Sequence, residues 1–321
     1  MRLLVVILGL ALLGAVQAGY AATVCAKTKS SSVKAKTVQK KSTRPIFKKR
    51  SVVERFSASD PGLRSAAALV LDQERGDQIY AKNVGEVMPI ASITKLMTAI
   101  VVLDSNLPLD EILIVGNGDV DTVKNSGSKL RVGTKLTRED LLLLALMASE
   151  NRAAAALGRN YPGGTAGFVE AMNAKAKLLA MDDTRFVDPT GLRSDNVSTA
   201  QDLAKLVAAA HEYELIREQS TTSMHKVSGA GRFGNLAFRN TNGLVKSKSW
   251  QIGLSKTGFI RESGRCLVMQ ATIGSRPVII VLLDSWGRQT RIGDANRIKT
   301  WMESPQFRNQ SQAVAQSETS S

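Results

Sequence analysis

Ile252-Gly-Leu-Ser-Lys-Thr-Gly-Phe-Ile260 is an apolar segment that carries Lys256-Thr257-Gly258 at its centre, a triplet found nowhere else in the chain. Its apolar flanks predict a strand over Trp250–Ile260. The apolar runs Cys266–Ile273 and Val278–Leu283 follow after short turns, which favours an antiparallel meander. A Lys and a Thr together suit a carboxylate ligand, because they offer a point charge and a hydroxyl donor. Gly258 leaves room for another backbone to approach the strand closely.

Upstream of this segment, strands give way to helices. Two strands are predicted at the start of the core, several helices follow them, and one more helix comes after the meander. The predicted strands are Ala66–Leu71 and Gln78–Ala81; the predicted helices follow Pro89, begin near Thr137, and span Ala166–Leu179, Thr199–His211 and about Gly293–Met302. This order predicts one α/β unit, with an antiparallel five-stranded sheet built from both chain ends and packed against an inserted helical block.

Ser92 and Lys95 lie three residues apart at the start of the helix that follows Pro89. Residues with this spacing share a helix face, so the hydroxyl and the amine can meet as a nucleophile and its base require. The same Ser-x-x-Lys spacing recurs at Ser31–Lys34, Ser126–Lys129 and Ser223–Lys226. The first of these lies in a polar basic segment and the second in a Gly/Ser loop. The third precedes Lys256 by too little for a helical block to fit between them.

Lys95 needs an altered pKa to act as a base. An unperturbed lysine has a pKa of about 10.4. Burial and a nearby cation both disfavour the charged form. We therefore expect Lys95 to be neutral in the resting protein and to accept the Ser92 proton, with Lys256 as the nearby cation.

A polar Ser/Asn pair is expected between these two motifs, and two candidates exist. Ser149-Glu150-Asn151 follows the apolar run Leu141–Met147, which predicts a central buried helix. Ser194-Asp195-Asn196 follows the turn Asp188-Pro189-Thr190-Gly191 and precedes another helix. A residue anchored at the end of a central helix can be held within the tolerance that catalysis demands, so Ser149 and Asn151 are the predicted pair.

The N-terminal residues have a different composition from the core. Met1-Arg2 and the apolar run Leu3–Val16 predict a cleaved signal peptide over residues 1–21, and hence a periplasmic location. Eight Lys, two Arg and no acidic residue lie between Lys27 and Arg50, so residues 22–61 predict a basic disordered tail. A solvated spacer is one interpretation of this tail, and electrostatic contact with anionic wall polymers or a membrane surface is the other. Nucleic acid is not an expected partner, because no aromatic residues or recognition fold accompany the charge. The folded domain is expected over residues 62–303 and a polar disordered tail over 304–321.

Metal and cofactor chemistry is not expected. The chain has two Cys and two His, and no group of them has metal-ligand spacing. His211 and His225 are poor material for a Ser-His-Asp triad. Cys266 begins an apolar run and is expected to be a small buried hydrophobe, whereas Cys25 lies in the tail.

Four stretches resemble a known family. They are Pro89-Ile-Ala-Ser-Ile-Thr-Lys95, Met147-Ala-Ser-Glu-Asn-Arg-Ala-Ala154, Ser255-Lys-Thr-Gly-Phe-Ile260 and Gly264-Arg-Cys-Leu-Val-Met269. From about Gly62 to Met302 the chain resembles the low-molecular-mass penicillin-binding proteins of the serine β-lactamase/DD-peptidase superfamily. No cofactor is implied by this resemblance.

The resemblance also implies a role for each site residue. Ser92 would attack a D-Ala carbonyl to form an acyl-enzyme, with Lys95 as the general base. Ser149 would relay the proton to the leaving amine, and Asn151 would bind the substrate amide. Lys256, Thr257 and Gly258 would hold the substrate on its carboxylate side. The backbone N–H groups of Ser92 and Phe259 would form the oxyanion hole.

The implied partners are cross-linked peptidoglycan peptides as substrates and β-lactams as covalent inhibitors. The polar C-terminal end differs from the added β-domain and amphipathic helix of the related carboxypeptidases. This favours an endopeptidase that cuts D-Ala–diaminopimelate cross-links, with a D-Ala-D-Ala carboxypeptidase as the alternative. A β-lactamase is less favoured, because Glu170-Ala-Met-Asn173 has the wrong spacing for the deacylating Glu and Asn of class A enzymes. A non-catalytic wall-binding module is a further alternative.

Overall fold

The computed structural model describes residues 60–231, 234–307 and 309. The signal peptide predicted over residues 1–21, nearly all of the basic tail predicted over 22–61, and most of the C-terminal tail predicted over 304–321 lie outside the described residues. Within the described part of the chain, none of the helices combines the length and the apolar character that crossing a bilayer requires.

The strands of the main sheet lie near the two ends of the described residues, with most helices and several other strands between them and one helix after the last strand. The strands are β1 (Ser65–Asp72), β2 (Gln78–Lys82), β3 (Met88–Pro89), β4 (Ile112–Ile114), β5 (Lys135–Thr137), β6 (Val197–Ser198), β7 (Met224–Gly231), β8 (Gly234–Arg239), β9 (Gln251–Ile260), β10 (Gly264–Ile273) and β11 (Arg276–Ser285). The helices are α1 (Thr94–Asp104), α2 (Arg138–Met147), α3 (Asn151–Arg159), α4 (Gly164–Leu178), α5 (Ala200–His211), α6 (Glu214–Thr221) and α7 (Thr290–Met302).

Five strands form the central sheet, in the order β2-β1-β11-β10-β9. The pairs β1–β2, β1–β11, β10–β11 and β9–β10 are all antiparallel, so both chain ends contribute to one sheet. This confirms the predicted fold class. The edge position of β9 matters for function, because an edge strand leaves one side of its backbone unpaired within the sheet.

Successive side chains along each strand point to opposite faces of the sheet, so the core is divided into two layers. Cys266 and Val268 of β10 pack with the helical block, whereas Leu267 and Met269 pack on the opposite face with α7. Strands covered on both faces read as nearly continuous apolar runs, which is why the meander was recognisable in sequence. The helical block therefore lies on one face of the sheet and α7 on the other.

Local sequence signals define several helix ends. The Thr137 hydroxyl accepts a hydrogen bond from Asp140 N at 3.0 Å and begins α2. The Thr199 hydroxyl accepts one from Asp202 N at 3.2 Å and begins α5, as the sequence predicted. Buried residues run without interruption from Thr94 to Val102, so α1 lies deep in the helical block.

Three features differ from the sequence analysis. Ser92 lies in a 3-10 turn, Ala91–Ile93, and α1 begins only at Thr94. Ala91, directly before Ser92, has a φ of 47° in the left-handed region, so an α-helix cannot extend back through this residue. The helix α3, which begins at Asn151, was not predicted. The hairpin β7–β8 and the helix α6 were not predicted, because their sequences are polar and lack clear periodicity.

Asp294 joins α7 to the beginning of β1. Its carboxylate is fully buried and accepts hydrogen bonds from Ser65 N at 2.8 Å, Ser65 Oγ at 2.5 Å and Arg64 N at 3.1 Å. Arg297 of the same helix also pairs with it. We predict that Asp294→Ala lowers the free energy of unfolding by about 2–4 kcal/mol, because buried donors lose their acceptor. Urea denaturation measures this loss. The exposed Asp110→Ala is the control, expected to change stability by less than about 0.5 kcal/mol; equal effects of the two variants would contradict the prediction.

Candidate active site

Ser92 and Lys95 meet at the beginning of α1. Lys95 Nζ lies 2.8 Å from Ser92 Oγ. The 3-10 turn supplies this geometry without a continuous helix, because Ser92 and Lys95 are still about one helical turn apart. Ile93, between them, is fully buried and anchors the turn in the core. The structure thus joins the hydroxyl and the amine that the sequence singled out.

The Lys95 amine is buried, and its neighbours are mostly acceptors. Besides Ser92 it contacts Asn151 Oδ1 at 2.7 Å and the Thr190 carbonyl oxygen at 2.6 Å. Burial lowers the pKa of Lys95 to about 7. Three carboxylates act in the opposite direction: Asp188, Glu150 and Asp121. An appreciable fraction of Lys95 is therefore neutral at neutral pH, and burial is the dominant cause rather than the charge of Lys256.

A loop on one side of Ser92 holds Asn151. Asn151 Nδ2 donates to Ser126 Oγ at 2.8 Å, and Ser126 Oγ in turn donates to Asp121 Oδ2 at 2.6 Å. A chain of hydrogen bonds therefore runs from Asp121 to Lys95 and orients the Asn151 amide. In the sequence, Ser126 is recognisable only as the first residue of a competing Ser-x-x-Lys match. Its Gly/Ser-rich context gave no signal of this contact.

Ser149 stands at the turn between α2 and α3. Its φ is 58°, in the left-handed region, where glycine or asparagine usually ends a helix. A serine there carries a conformational cost, which is retained most often where a side chain is needed. The Ser149 hydroxyl accepts a hydrogen bond from Lys256 Nζ at 2.8 Å. Ser149 thus links the end of α2 to the edge strand β9.

The edge strand β9 forms the opposite side of the site. Lys256 is almost fully buried, and its pKa is well below its usual value because of burial, the nearby Lys95 and Arg291. Thr257 Oγ1 donates to Thr241 Oγ1 at 2.6 Å, a neighbour that the sequence did not reveal. The buried amine of Lys256 and the hydroxyls of Thr257 and Thr241 therefore lie along this edge, a suitable environment for a carboxylate.

Gly258 sets the distance between β9 and the Ser92 turn. A Cβ at this position would lie 2.8 Å from the Ile90 carbonyl oxygen and 3.2 Å from Ser92 N. Any side chain would force the strand away from the turn. Phe259 follows directly, with its ring half exposed. Backbone N–H groups alternate in direction along a strand, so the Phe259 N–H points the same way as the Ser255 N–H four residues earlier. Ser255 N donates to Ser220 Oγ at 3.3 Å, outside the sheet. The Phe259 amide thus faces the site.

The loop Asp188–Gly191 completes the surroundings of Lys95, although the sequence indicated only a turn. Asp188 Oδ1 accepts from Thr190 N at 2.6 Å and Gly191 N at 2.7 Å, which shapes the loop. Gly191 has a φ of 77°, and a Cβ there would lie 1.9 Å from the Ala91 carbonyl oxygen. Only glycine lets the loop pack this closely and bring the Thr190 carbonyl to Lys95. In the sequence, the turn motif Asp188-Pro189-Thr190-Gly191 was the one indication of this loop.

The rejected candidate Ser194-Asp195-Asn196 serves this same loop. Asn196 is fully buried; its Oδ1 accepts from Val187 N at 3.0 Å, and its Nδ2 donates to Asp188 Oδ2 at 2.6 Å. It therefore supports the loop from behind and does not contact Lys95.

Arg291 of α7 supports β9 from the far side, donating from Nη1 to the Gly258 carbonyl oxygen at 3.0 Å. Cys266 is a buried free thiol, and burial raises its pKa to about 11. Among the described residues, no cluster of three or more His, Cys, Asp or Glu has the arrangement of a metal site.

The chain is similar to known DD-peptidases. A family model described as D-alanyl-D-alanine carboxypeptidase (peptidase S11) matches residues 54–287. A D-alanyl-D-alanine endopeptidase of Pseudomonas aeruginosa is 49% identical over 270 residues, which cover 81% of this chain and 87% of the relative. The Streptomyces K15 DD-transpeptidase structure matches with a TM-score of 0.69 at 30% identity, covering 74% of this chain and 97% of that one. Cefotaxime-bound penicillin-binding protein D2 of Listeria monocytogenes matches with a TM-score of 0.64 at 32% identity, covering 74% and 97%.

These similarities agree with the geometry. The family match spans all three motifs, and the solved relatives share the fold. The family suggested by the four sequence stretches is thereby confirmed. The chain belongs to the peptidase S11 family of serine-type DD-peptidases.

Proposed function

We propose that this protein is a serine D-alanyl-D-alanine endopeptidase that hydrolyses D-Ala–diaminopimelate cross-links of peptidoglycan through an acyl-Ser92 intermediate. The observation that carries the proposal is the 2.8 Å contact between the Ser92 hydroxyl and the buried Lys95 amine, beside the edge strand that bears Lys256 and Thr257. The 49% identity to a protein named D-alanyl-D-alanine endopeptidase supports the endopeptidase activity. The family description as carboxypeptidase keeps the trimming of terminal D-Ala as the second candidate.

In acylation, Ser92 Oγ attacks the D-Ala carbonyl carbon while neutral Lys95 accepts the hydroxyl proton. Negative charge develops on the carbonyl oxygen, which the N–H groups of Ser92 and Phe259 stabilise. Such donors are commonly worth about 3–4 kcal/mol of transition-state stabilisation. The C–N bond then breaks, and the leaving amine takes a proton through Ser149. Water completes the cycle by hydrolysing the ester.

The substrate carboxylate beside the scissile bond binds at Lys256 and Thr257. Arrival of an anion favours the charged form of Lys256 and offsets the effect of burial on its pKa. Asn151 has one Nδ2 hydrogen engaged by Ser126, and the other is available for an amide carbonyl of the substrate. β-Lactams acylate Ser92 in the same manner, in agreement with the cefotaxime-bound relative.

The protein acts in the periplasm under this proposal, because its substrate is the cell wall. The sequence prediction of a signal peptide over residues 1–21 supports this location. Attraction of the basic segment over residues 22–61 to anionic wall polymers or membrane remains part of the proposal.

Digestion of purified cross-linked muropeptides tests the activity directly. We expect the protein to convert dimers to monomers, and Ser92→Ala to lose at least about a thousandfold in rate because the nucleophile is removed. Separation of the products by chromatography measures both. Release of terminal D-Ala from pentapeptides with intact dimers would instead establish the carboxypeptidase. Rapid turnover of nitrocefin without dimer cleavage would establish a β-lactamase.

The pH dependence of acylation tests the role of Lys95. The base must be neutral, so the rate of labelling by a fluorescent penicillin should rise with pH through about 7 and level off above it. Glu150 opposes the lowering of the Lys95 pKa, so Glu150→Gln should move this rise to lower pH. A profile without a limb near neutrality, or normal labelling of Lys95→Ala, would show that another group is the base.

The spacing role of Gly258 gives a separate prediction. Gly258→Ala places a methyl group 2.8 Å from the Ile90 carbonyl oxygen, so β9 must move away from Ser92. We expect the acylation rate to fall by about tenfold or more, because sub-ångström misplacement is costly in catalysis. Gly243→Ala, where no heavy atom lies within 4 Å of the added carbon, is the matched control. An unchanged rate in Gly258→Ala would mean that the strand spacing is not critical.

A further inference from the structure

An ion pair joins the two walls of the cleft beside Ser92. Lys124 belongs to the loop that holds Asn151 through Ser126, and Glu262 belongs to the turn between β9 and β10. The two side chains form a salt bridge although they are 138 positions apart in sequence. The pair therefore connects the Asn151 side of the site to the β9 side, at the turn that follows Phe259.

Both partners have a fixed backbone and an accessible charged group. Asp121 accepts hydrogen bonds from the backbone N–H groups of Lys124 at 2.9 Å and Ser126 at 2.8 Å. On the other wall, the Ser263 hydroxyl accepts from Ile260 N at 3.2 Å and holds the turn. The side chains of Lys124 and Glu262 are 30% and 42% exposed. An ion pair this exposed contributes little stability, so other charged groups can replace either partner.

The direction of the bound substrate follows from the proposed function, on which this inference rests. The carboxylate on the leaving side binds at Thr257, and the scissile carbonyl lies at the amide of Phe259. The acyl side of the substrate therefore continues along β9 past Phe259 towards Glu262. The half-exposed Phe259 ring, with the Arg265 guanidinium 4.4 Å from its centroid, gives this path an apolar surface.

On its acyl side, the substrate carries one negative and one positive charge that match Lys124 and Glu262. In a cross-link between two identical stem peptides, the acyl-side D-Ala is itself attached to diaminopimelate, whose side chain ends in a carbon bearing a free amine and a carboxylate. We propose that Lys124 and Glu262 form a specificity site for this zwitterionic end, with Lys124 binding the carboxylate and Glu262 the amine. One exposed ion pair is exchanged for two charge-assisted pairs, while the methylene stem lies over Phe259.

Three synthetic cross-linked peptides, each with one scissile bond, test the proposal. They differ only in the residue that precedes the acyl-side D-Ala. This residue is diaminopimelate, lysine, which lacks the terminal carboxylate, or norleucine, which lacks both charges. We expect wild type to prefer diaminopimelate in kcat/KM. Lys124→Ala and Glu262→Ala should each lower kcat/KM for that peptide by about three- to tenfold, with the norleucine peptide unaffected, because each variant loses one charge-assisted contact. For the lysine peptide, only Glu262→Ala should have an effect.

The double variant Lys124→Glu with Glu262→Lys distinguishes recognition of the substrate from a purely structural role of the ion pair. It can re-form the ion pair but reverses the charges offered to the substrate, so we expect cleavage of the diaminopimelate peptide to stay low. Lys175→Ala, which removes the Lys175–Asp104 ion pair at the far end of α1, is the matched control. Recovery in the double variant, equal losses for all three peptides, or no loss would each overturn the proposal. If wild type is labelled by penicillin but cleaves none of the peptides, the proposed function itself fails, and the specificity site fails with it.

Discussion

Burial of the Lys95 amine against the Ser92 hydroxyl is the constraint on which the rest of the structure depends. A charged ammonium without compensation is costly in the protein interior, so the group either finds partners or loses its proton. Here both occur: three oxygen atoms lie within 2.8 Å of Nζ, and the pKa is lowered to about 7. The helical block excludes water from the amine, and the carboxylates nearby keep its pKa from falling further.

Several backbone elements must approach each other closely to create this environment. Gly191 lets a loop carbonyl reach Lys95, and Gly258 lets β9 lie against the turn of Ser92. Two non-glycine residues, Ala91 and Ser149, adopt left-handed conformations at the same place. Such conformations cost of order 1–3 kcal/mol each and persist only where the surrounding structure enforces them. In this protein they lie beside Ser92 and beside the Lys256 amine, at the proposed active site.

Charge around the cleft is arranged to suit an anionic substrate. On the β9 side, burial and, after it, repulsion by Lys95 and Arg291 lower the pKa of Lys256. A carboxylate that enters relieves this repulsion, whereas a neutral group does not. The acidic residues Asp121, Asp188 and Glu150 lie on the opposite side and act on Lys95. The two lysines, though close, are therefore suited to different tasks: one to exchange a proton and the other to hold charge.

The sequence by itself determined the sheet, the helical block and the identity of the main polar residues. Apolar runs such as Cys266–Ile273 and local caps such as Thr137 act over short range, so pattern alone revealed them. Ser92, Lys95, Ser149 and Lys256 were identified by motif spacing and do converge. Only the tertiary structure decided that Ser92 lies on a 3-10 turn, that Ser126 and Thr190 complete the contacts of Asn151 and Lys95, and that Lys124 meets Glu262. Most of these contacts join residues far apart in the chain, so local propensity does not encode them. Close approach of backbone segments at Gly191 and Gly258, where a side chain would clash, helps to bring the site together.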